Sequence, residues 1–143
     1  MTGDYLKIIS HYERCLEQFG DTHKGMDWPN EADMYKRYGV MLDVHKFDAG
    51  QVLTKPSVLD FGCGTAKMLE YINTFPGLEC EYSGLDLSQN FVNICLQKFP
   101  TTKFYCQDIL RNTSQIPTVD YIVMNGVFTE KRDLSFEEMF GEE

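Results

Sequence analysis

Val58-Leu59-Asp60-Phe61-Gly62-Cys63-Gly64-Thr65-Ala66-Lys67-Met68-Leu69 runs an apolar strand into a tight glycine turn and then into a helix. Glycine at 62 and 64 admits positive φ and lets a ligand lie against bare backbone, while the first amides of the following helix face the same crevice. A turn of this kind at the carboxyl end of a parallel strand is where open α/β sheets take ligands. Its surroundings add weight. Twenty-four residues beyond Gly62, Tyr82-Ser83-Gly84-Leu85-Asp86-Leu87-Ser88 ends a second strand in an acid that can accept from both hydroxyls of a ribose, and Ser88 caps the next helix. Twenty-two residues later, Phe104-Tyr105-Cys106-Gln107-Asp108-Ile109 ends a third strand in another acid.

Outward from this core, short apolar runs alternate with helical patterns: Ser57–Phe61, Lys67–Asn73, Glu81–Leu85, Phe91–Phe99, Lys103–Cys106 and Tyr121–Val127. Val58-Leu59 and Tyr121-Ile122-Val123-Met124 are apolar on successive residues, which predicts parallel strands covered on both faces. The pattern predicts an α/β fold with a doubly wound parallel sheet. Two helices precede it. Residues 4–19 place Tyr5, Ile8, Ile9, Tyr12, Cys15, Leu16 and Phe19 on one stripe, with Gly20 as the C-terminal cap. After a polar connector, Asp21–Asn30, a second helix is expected from about Glu31 to Phe47, with Met34, Tyr38, Met41, Leu42 and His45 facing inward.

The chain has 143 residues, 43% apolar and 24% charged, which suits one globular domain. Its 13 basic against 22 acidic side chains give a net charge of −9 with no basic stripe, so nucleic acid and anionic membrane are poor partners. Neither a membrane span nor an N-terminal signal stands out, and a cytoplasmic location is expected. Cys15, Cys63, Cys80, Cys95 and Cys106 are widely spaced without a C-x-x-C pair, and His11, His23 and His45 stand apart in sequence. Reduced, mostly buried thiols and no metal site are the expectation.

Asp60 to Ala66 resembles the first motif of the class I S-adenosylmethionine-dependent methyltransferases: two hydrophobic residues, then Asp/Glu-x-Gly-x-Gly-x-Gly. Ala66 departs from it where the third glycine usually stands, which implies tighter packing and retained binding. The rival dinucleotide fingerprint, Gly-x-Gly-x-x-Gly, needs glycine at position 67, which is Lys67. The resemblance implies that S-adenosylmethionine is the cofactor, that Asp60, Gly62, Cys63 and Gly64 line its methionine part, that Asp86 and Leu87 hold the ribose, and that Asp108 with the Ile109 amide addresses adenine. Val119–Thr129 resembles the family's fourth strand, whose carboxyl end, at Asn125, lies beside the transferred methyl. It lacks the Asp/Asn-Pro-Pro-Tyr/Phe motif of enzymes that methylate nucleic-acid bases. Gly25-Met26-Asp27-Trp28, Arg37 and Asn125-Gly126-Val127-Phe128 look like a bacterial or phage-type subgroup acting on small molecules. Arg37 is a candidate partner for the methionine carboxylate and Trp28 for covering the cofactor. No residue is assignable as a general base from spacing.

In that family the sheet has seven strands in the order 3-2-1-4-5-7-6, and this chain resembles the first four. A single domain over 1–143 is expected, with a helical cap at 1–50, a Rossmann-like core at 57–130 and the C-terminal half of the usual domain missing. Ser135-Phe136-Glu137-Glu138 is a capping box followed by only five residues, short of the ~12 a lone helix needs, so the chain looks cut inside an element. Two expectations follow: a homodimer through an exposed fourth strand, and, as the alternative to a methyltransferase of small or other non-nucleic-acid acceptors, a fragment that binds the cofactor without turnover or is completed by a partner.

Overall fold

A computed structural model describes residues 3–43, 55–74, 79–108 and 116–124, the side chains of 3–5 aside. In chain order the elements are α1 (Gly3–Phe19), α2 (Glu31–Leu42), β1 (Ser57–Phe61), α3 (Lys67–Thr74), β2 (Glu81–Asp86), α4 (Gln89–Lys98), β3 (Lys103–Cys106) and β4 (Tyr121–Met124). The strands form one parallel sheet in the order β3-β2-β1-β4, with Asp60 of β1 between Gly84 of β2 and Val123 of β4. This is the Rossmann-like order expected from the sequence, with α3 and α4 as the crossovers that parallel neighbours require.

Local chemistry explains the boundaries. Gly20 ends α1 with a φ of 71° and its amide on Leu16 O at 2.7 Å, a left-handed stop. Asn30 caps α2 by accepting from the Asp33 amide at 3.1 Å. Ser88 caps α4 by accepting from Phe91 N, and the same hydroxyl donates to Glu13 of α1 at 2.6 Å. The helix expected to reach Phe47 is described to Leu42 with Asp43 as its cap; positions 44–47, His45 among them, lie outside the described residues. So do Val127, Asn125–Phe128 and the capping box at Ser135. The stripe on α1 ends sooner than expected, because Phe19 is exposed.

Val58, Tyr82 and Val123 on one sheet face join Met34, Tyr38 and Leu42 of α2 and Met68, Leu69 and Ile72 of α3 in one buried cluster. Tyr35 stacks on Tyr71 at 5.7 Å between ring centroids, which ties α2 to α3. Gly84 lets this layer close: a Cβ there would stand 2.9 Å from both Cys63 Sγ and a Phe104 ring carbon. The expected coverage of both faces holds for β1, whose three central residues are buried, but not for β4, where Ile122 and Met124 are exposed.

The connector is fastened by a polar network. Lys67, nearly fully buried, donates to Asp21 O at 2.9 Å and lies 3.1 Å from Asp21 Oδ1 and 3.3 Å from Glu70. Lys98 reaches Asp21 Oδ2 at 2.7 Å, Thr65 O at 2.7 Å and Glu70. The residue that breaks the dinucleotide fingerprint therefore anchors the loop leading to α2. Burial works to raise the Asp21 pKa, but hydrogen bonds from Lys98, Thr65 and Lys67 overcome it and hold the carboxyl below its usual value. Among the described residues no helix is long and apolar enough to cross a membrane.

Candidate functional site

The carboxyl ends of β1 and β2 open into a cavity of about 450 Å³, roofed by Ile8, Ile9 and Tyr12 of α1 and by Met26–Pro29 of the connector. That volume is within the range of small-molecule sites. The backbone builds its floor. Gly62 and Cys63 donate to Leu85 O at 2.8 and 3.0 Å, and Gly62 and Gly64 adopt φ of 78° and 57°, conformations that glycine takes at little cost. Ala66 has a φ of 65° as well, although it carries a Cβ. The alanine that departs from the motif thus keeps the backbone shape of a glycine.

Asp86 lies at the end of β2 with both oxygens engaged, Oδ2 accepting from Gly64 N at 2.9 Å and Oδ1 from Ser88 N at 2.9 Å. Burial pushes its pKa up to about 6 against the pull of these amides. A carboxylate oxygen has two lone-pair directions, so each keeps one for a further donor. Asp60 accepts from the Tyr82 hydroxyl at 2.7 Å, and burial raises its pKa to about 7 with a smaller push from Asp86. Cys63 is no nucleophile. Its hydrogen bond with Cys95, burial and the nearby carboxylates hold the thiol well above its usual pKa, so it stays protonated.

Arg37 and Trp28 line the same cavity, with the guanidinium 5.5 Å from the indole centroid and Trp28 edge-on to Tyr38. Asp60, Gly62, Cys63, Gly64, Asp86, Leu87, Trp28 and Arg37 are thereby brought around one space. Asp108 is not: it stands two residues beyond β3, at the same end of the sheet but outside the cavity lining. Gln107 beside it buries a side-chain oxygen that has no hydrogen-bond partner among the described residues. Ile109 and Asn125 lie outside those residues.

Within Gly25-Met26-Asp27-Trp28, Met26 has no site role legible from sequence, yet its sulfur accepts from Thr65 N at 3.2 Å and would meet a Cβ on Gly64 at 2.6 Å, so a flexible thioether rests on the glycine loop. A methionine in a polar connector gives no local signal of that contact. Sequence reasoning also treated the histidines as solitary. His23 Nδ1 lies 2.8 Å from Trp28 O, and His11 meets Asp27 and Cys15. None of the five cysteines forms a disulfide, but only Cys63 and Cys95 are buried, and Cys106 is exposed.

A family profile described as a methyltransferase domain matches residues 58–142, more than half of the chain, and the chain belongs to that family. Its fold is similar to that of the plantazolicin methyltransferase BpumL in complex with a pentazolic desmethylPZN analog and SAH, with a TM-score of 0.51, 22% identity and coverage of 86% of this chain and 42% of that one. The same enzyme with a triazolic analog and SAH gives a TM-score of 0.50 at 24% identity and the same coverage. At these identities the likeness is one of fold. The chain spans about 42% of the length of those structures. Among curated proteins no sequence matches.

Proposed function

We propose that the cavity binds S-adenosylmethionine and that the protein transfers its methyl group to a small-molecule or other non-nucleic-acid acceptor. The observation that carries this is the joining of Asp86 to Gly64 across one cavity, a ribose-type acceptor beside a backbone cradle. Gly62, Cys63 and Gly64 would hold the methionine part, Asp86 and Leu87 the ribose, and Arg37 the methionine carboxylate, with Trp28 as cover. Asp60 would act through the loop it supports. Asp108 and the Ile109 amide are proposed for adenine and Asn125 for the neighbourhood of the methyl. Asp27 and Asp86 outnumber Arg37 in the lining, which suits a ligand carrying a sulfonium and an ammonium. S-adenosylmethionine supplies a carbon already activated for in-line displacement. What the chain contributes is orientation and exclusion of water.

The domain proposal is a single cofactor-binding unit over 1–143, with 1–50 as cap and 57–130 as core, in a cytoplasmic protein. The chain covers only 42% of the BpumL structures, and the cavity residues assigned a role serve the cofactor, none of them an acceptor. This favours a second reading for the 143-residue chain alone: binding without turnover. Calorimetry with S-adenosylmethionine tests the site, and SAH release with a panel of small-molecule acceptors tests the transfer. Binding abolished by Asp86→Ala is expected; absence of any binding heat, with no ligand-induced shift in melting, refutes the assignment.

A further inference from the structure

His11 and Cys15 are four residues apart on α1, so they share a face one turn apart, and the connector brings Asp27 against them. His11 Nε2 lies 3.1 Å from Asp27 Oδ2 and 3.6 Å from Cys15 Sγ, and Cys15 Sγ lies 3.9 Å from Asp27 Oδ1. One ligand atom from each of the three residues falls within 4.8 Å of the others. Asp27 reaches this position from a left-handed backbone, φ 64°, which costs free energy in a residue with a Cβ. The surrounding bonds from Asp27 N to Lys24 O and from Trp28 N to His23 O impose it.

Two chemistries use a thiol, an imidazole and a carboxylate. In a nucleophilic relay the carboxylate holds one ring nitrogen and the thiol addresses the other. Here both meet the same nitrogen, Nε2, so the ring cannot relay a proton between them. Three donors gathered around one point form a ligand set instead. Tetrahedral zinc, with bonds of ~2.0–2.3 Å, sets nitrogen and oxygen ligands about 3.4 Å apart and sulfur about 3.6 Å from each. The Nε2–Oδ2 distance of 3.1 Å and the Sγ–Nε2 distance of 3.6 Å lie within about 0.3 Å of those figures, while Sγ is 3.9 Å from the other carboxylate oxygen, Oδ1, so that a small rotation of the carboxylate completes the set. Calcium and magnesium take oxygen ligands, whereas imidazole with thiolate selects zinc and its neighbours.

We propose that His11, Cys15 and Asp27 bind one zinc-class divalent cation, with no fourth protein ligand among the described residues. The His11 and Asp27 side chains are 28% and 30% exposed, so an ion reaches them without unfolding. Asp27 also lines the large cavity beside Met26 and Trp28, and the ion would pin that wall to α1. The site stands whether or not the cavity takes S-adenosylmethionine.

Cobalt(II) titrated into the reduced chain, with no other ligand, tests the site. One equivalent should bind, giving a thiolate charge-transfer band in the near ultraviolet and four-coordinate d–d bands, and zinc should displace it. Cys15→Ser should remove the charge-transfer band, Asp27→Asn should weaken binding by roughly tenfold or more, on the scale of even outer-shell losses, and Cys106→Ser should change neither. A charge-transfer band that survives in folded Cys15→Ser overturns the proposal. On the unmutated chain, thiolate ligation must expel a proton for each ion bound near neutral pH; no proton release, or no stoichiometric cobalt spectrum, overturns it as well.

Discussion

The ribose role proposed for Asp86, accepting from both hydroxyls, is fulfilled best by an ionised carboxylate, and its pKa of about 6 places that condition inside the accessible range. The ionised fraction falls from roughly nine-tenths at pH 7 to one-tenth at pH 5 for such a group. Affinity for S-adenosylmethionine should therefore drop by about tenfold across that window, as read by calorimetry, and Asp86→Asn should bind weakly with the slope gone. Arg37→Ala should lose ~1.5 kcal/mol of affinity if its charged hydrogen bond forms; an unchanged constant removes Arg37 from the site. At Ala66, glycine would relieve ~1–2 kcal/mol of left-handed strain but forfeit ~0.8 kcal/mol of buried methyl and ~0.4–1 kcal/mol through a looser unfolded chain. Ala66→Gly should leave the urea midpoint nearly unchanged. Gly62, Gly64 and Asp86 were legible in the sequence because turn backbone and a strand-end acid are local constraints. Met26 and the His11–Cys15–Asp27 group were not, because an i, i+4 pair reveals nothing of a third residue twelve positions on.

Strands and crossovers follow the same division. The runs at 57–61 and 103–106 match their strands end for end, because short stretches rich in apolar and aromatic residues between turn signals have few other outcomes in a parallel sheet. The α4 start at Gln89 rather than Phe91 follows from Ser88, since a cap fixes the next residue as helical whatever its polarity. Gly84 is the element-scale feature that reads as a weak strand residue and proves to be a spacer. With Cys63 Sγ and the Phe104 ring each 2.9 Å from its absent Cβ, valine must push β3 or the glycine loop outward. Gly84→Val should destabilise by ~1–3 kcal/mol and lower affinity for S-adenosylmethionine in the remaining folded protein. Full stability by urea denaturation would show that Phe104 and Cys63 yield freely.

At the scale of the whole molecule, the buried acids set an unusual pH dependence. Asp60 and Asp86 have folded pKa values of about 7 and 6, above an unfolded value of 3.8. Between about pH 4 and pH 7 the native state therefore holds more protons than the unfolded state, and their contribution to stability falls as pH rises. Asp21, lowered by its lysines, acts with the opposite sign below that window: its contribution is present above pH 3.8 and lost as pH falls through its folded pKa. The unliganded chain should melt at a lower temperature at pH 7.5 than at pH 5, and Asp60→Asn should reduce that difference; a flat profile would mean that water reaches both carboxyls. The outer strand β4 adds a dependence on concentration. Ile122 and Met124 are exposed on the face shared with Leu59 and Phe61, and among the described residues nothing pairs β4 on its far side. An apolar, unpaired edge recruits another strand, and a charge on it prevents this. Light scattering of the 143-residue chain should show a dimer or larger species that Ile122→Lys returns to monomer with little change in melting, since the side chain already faces outward. A monomer at high concentration before any substitution would refute association through β4.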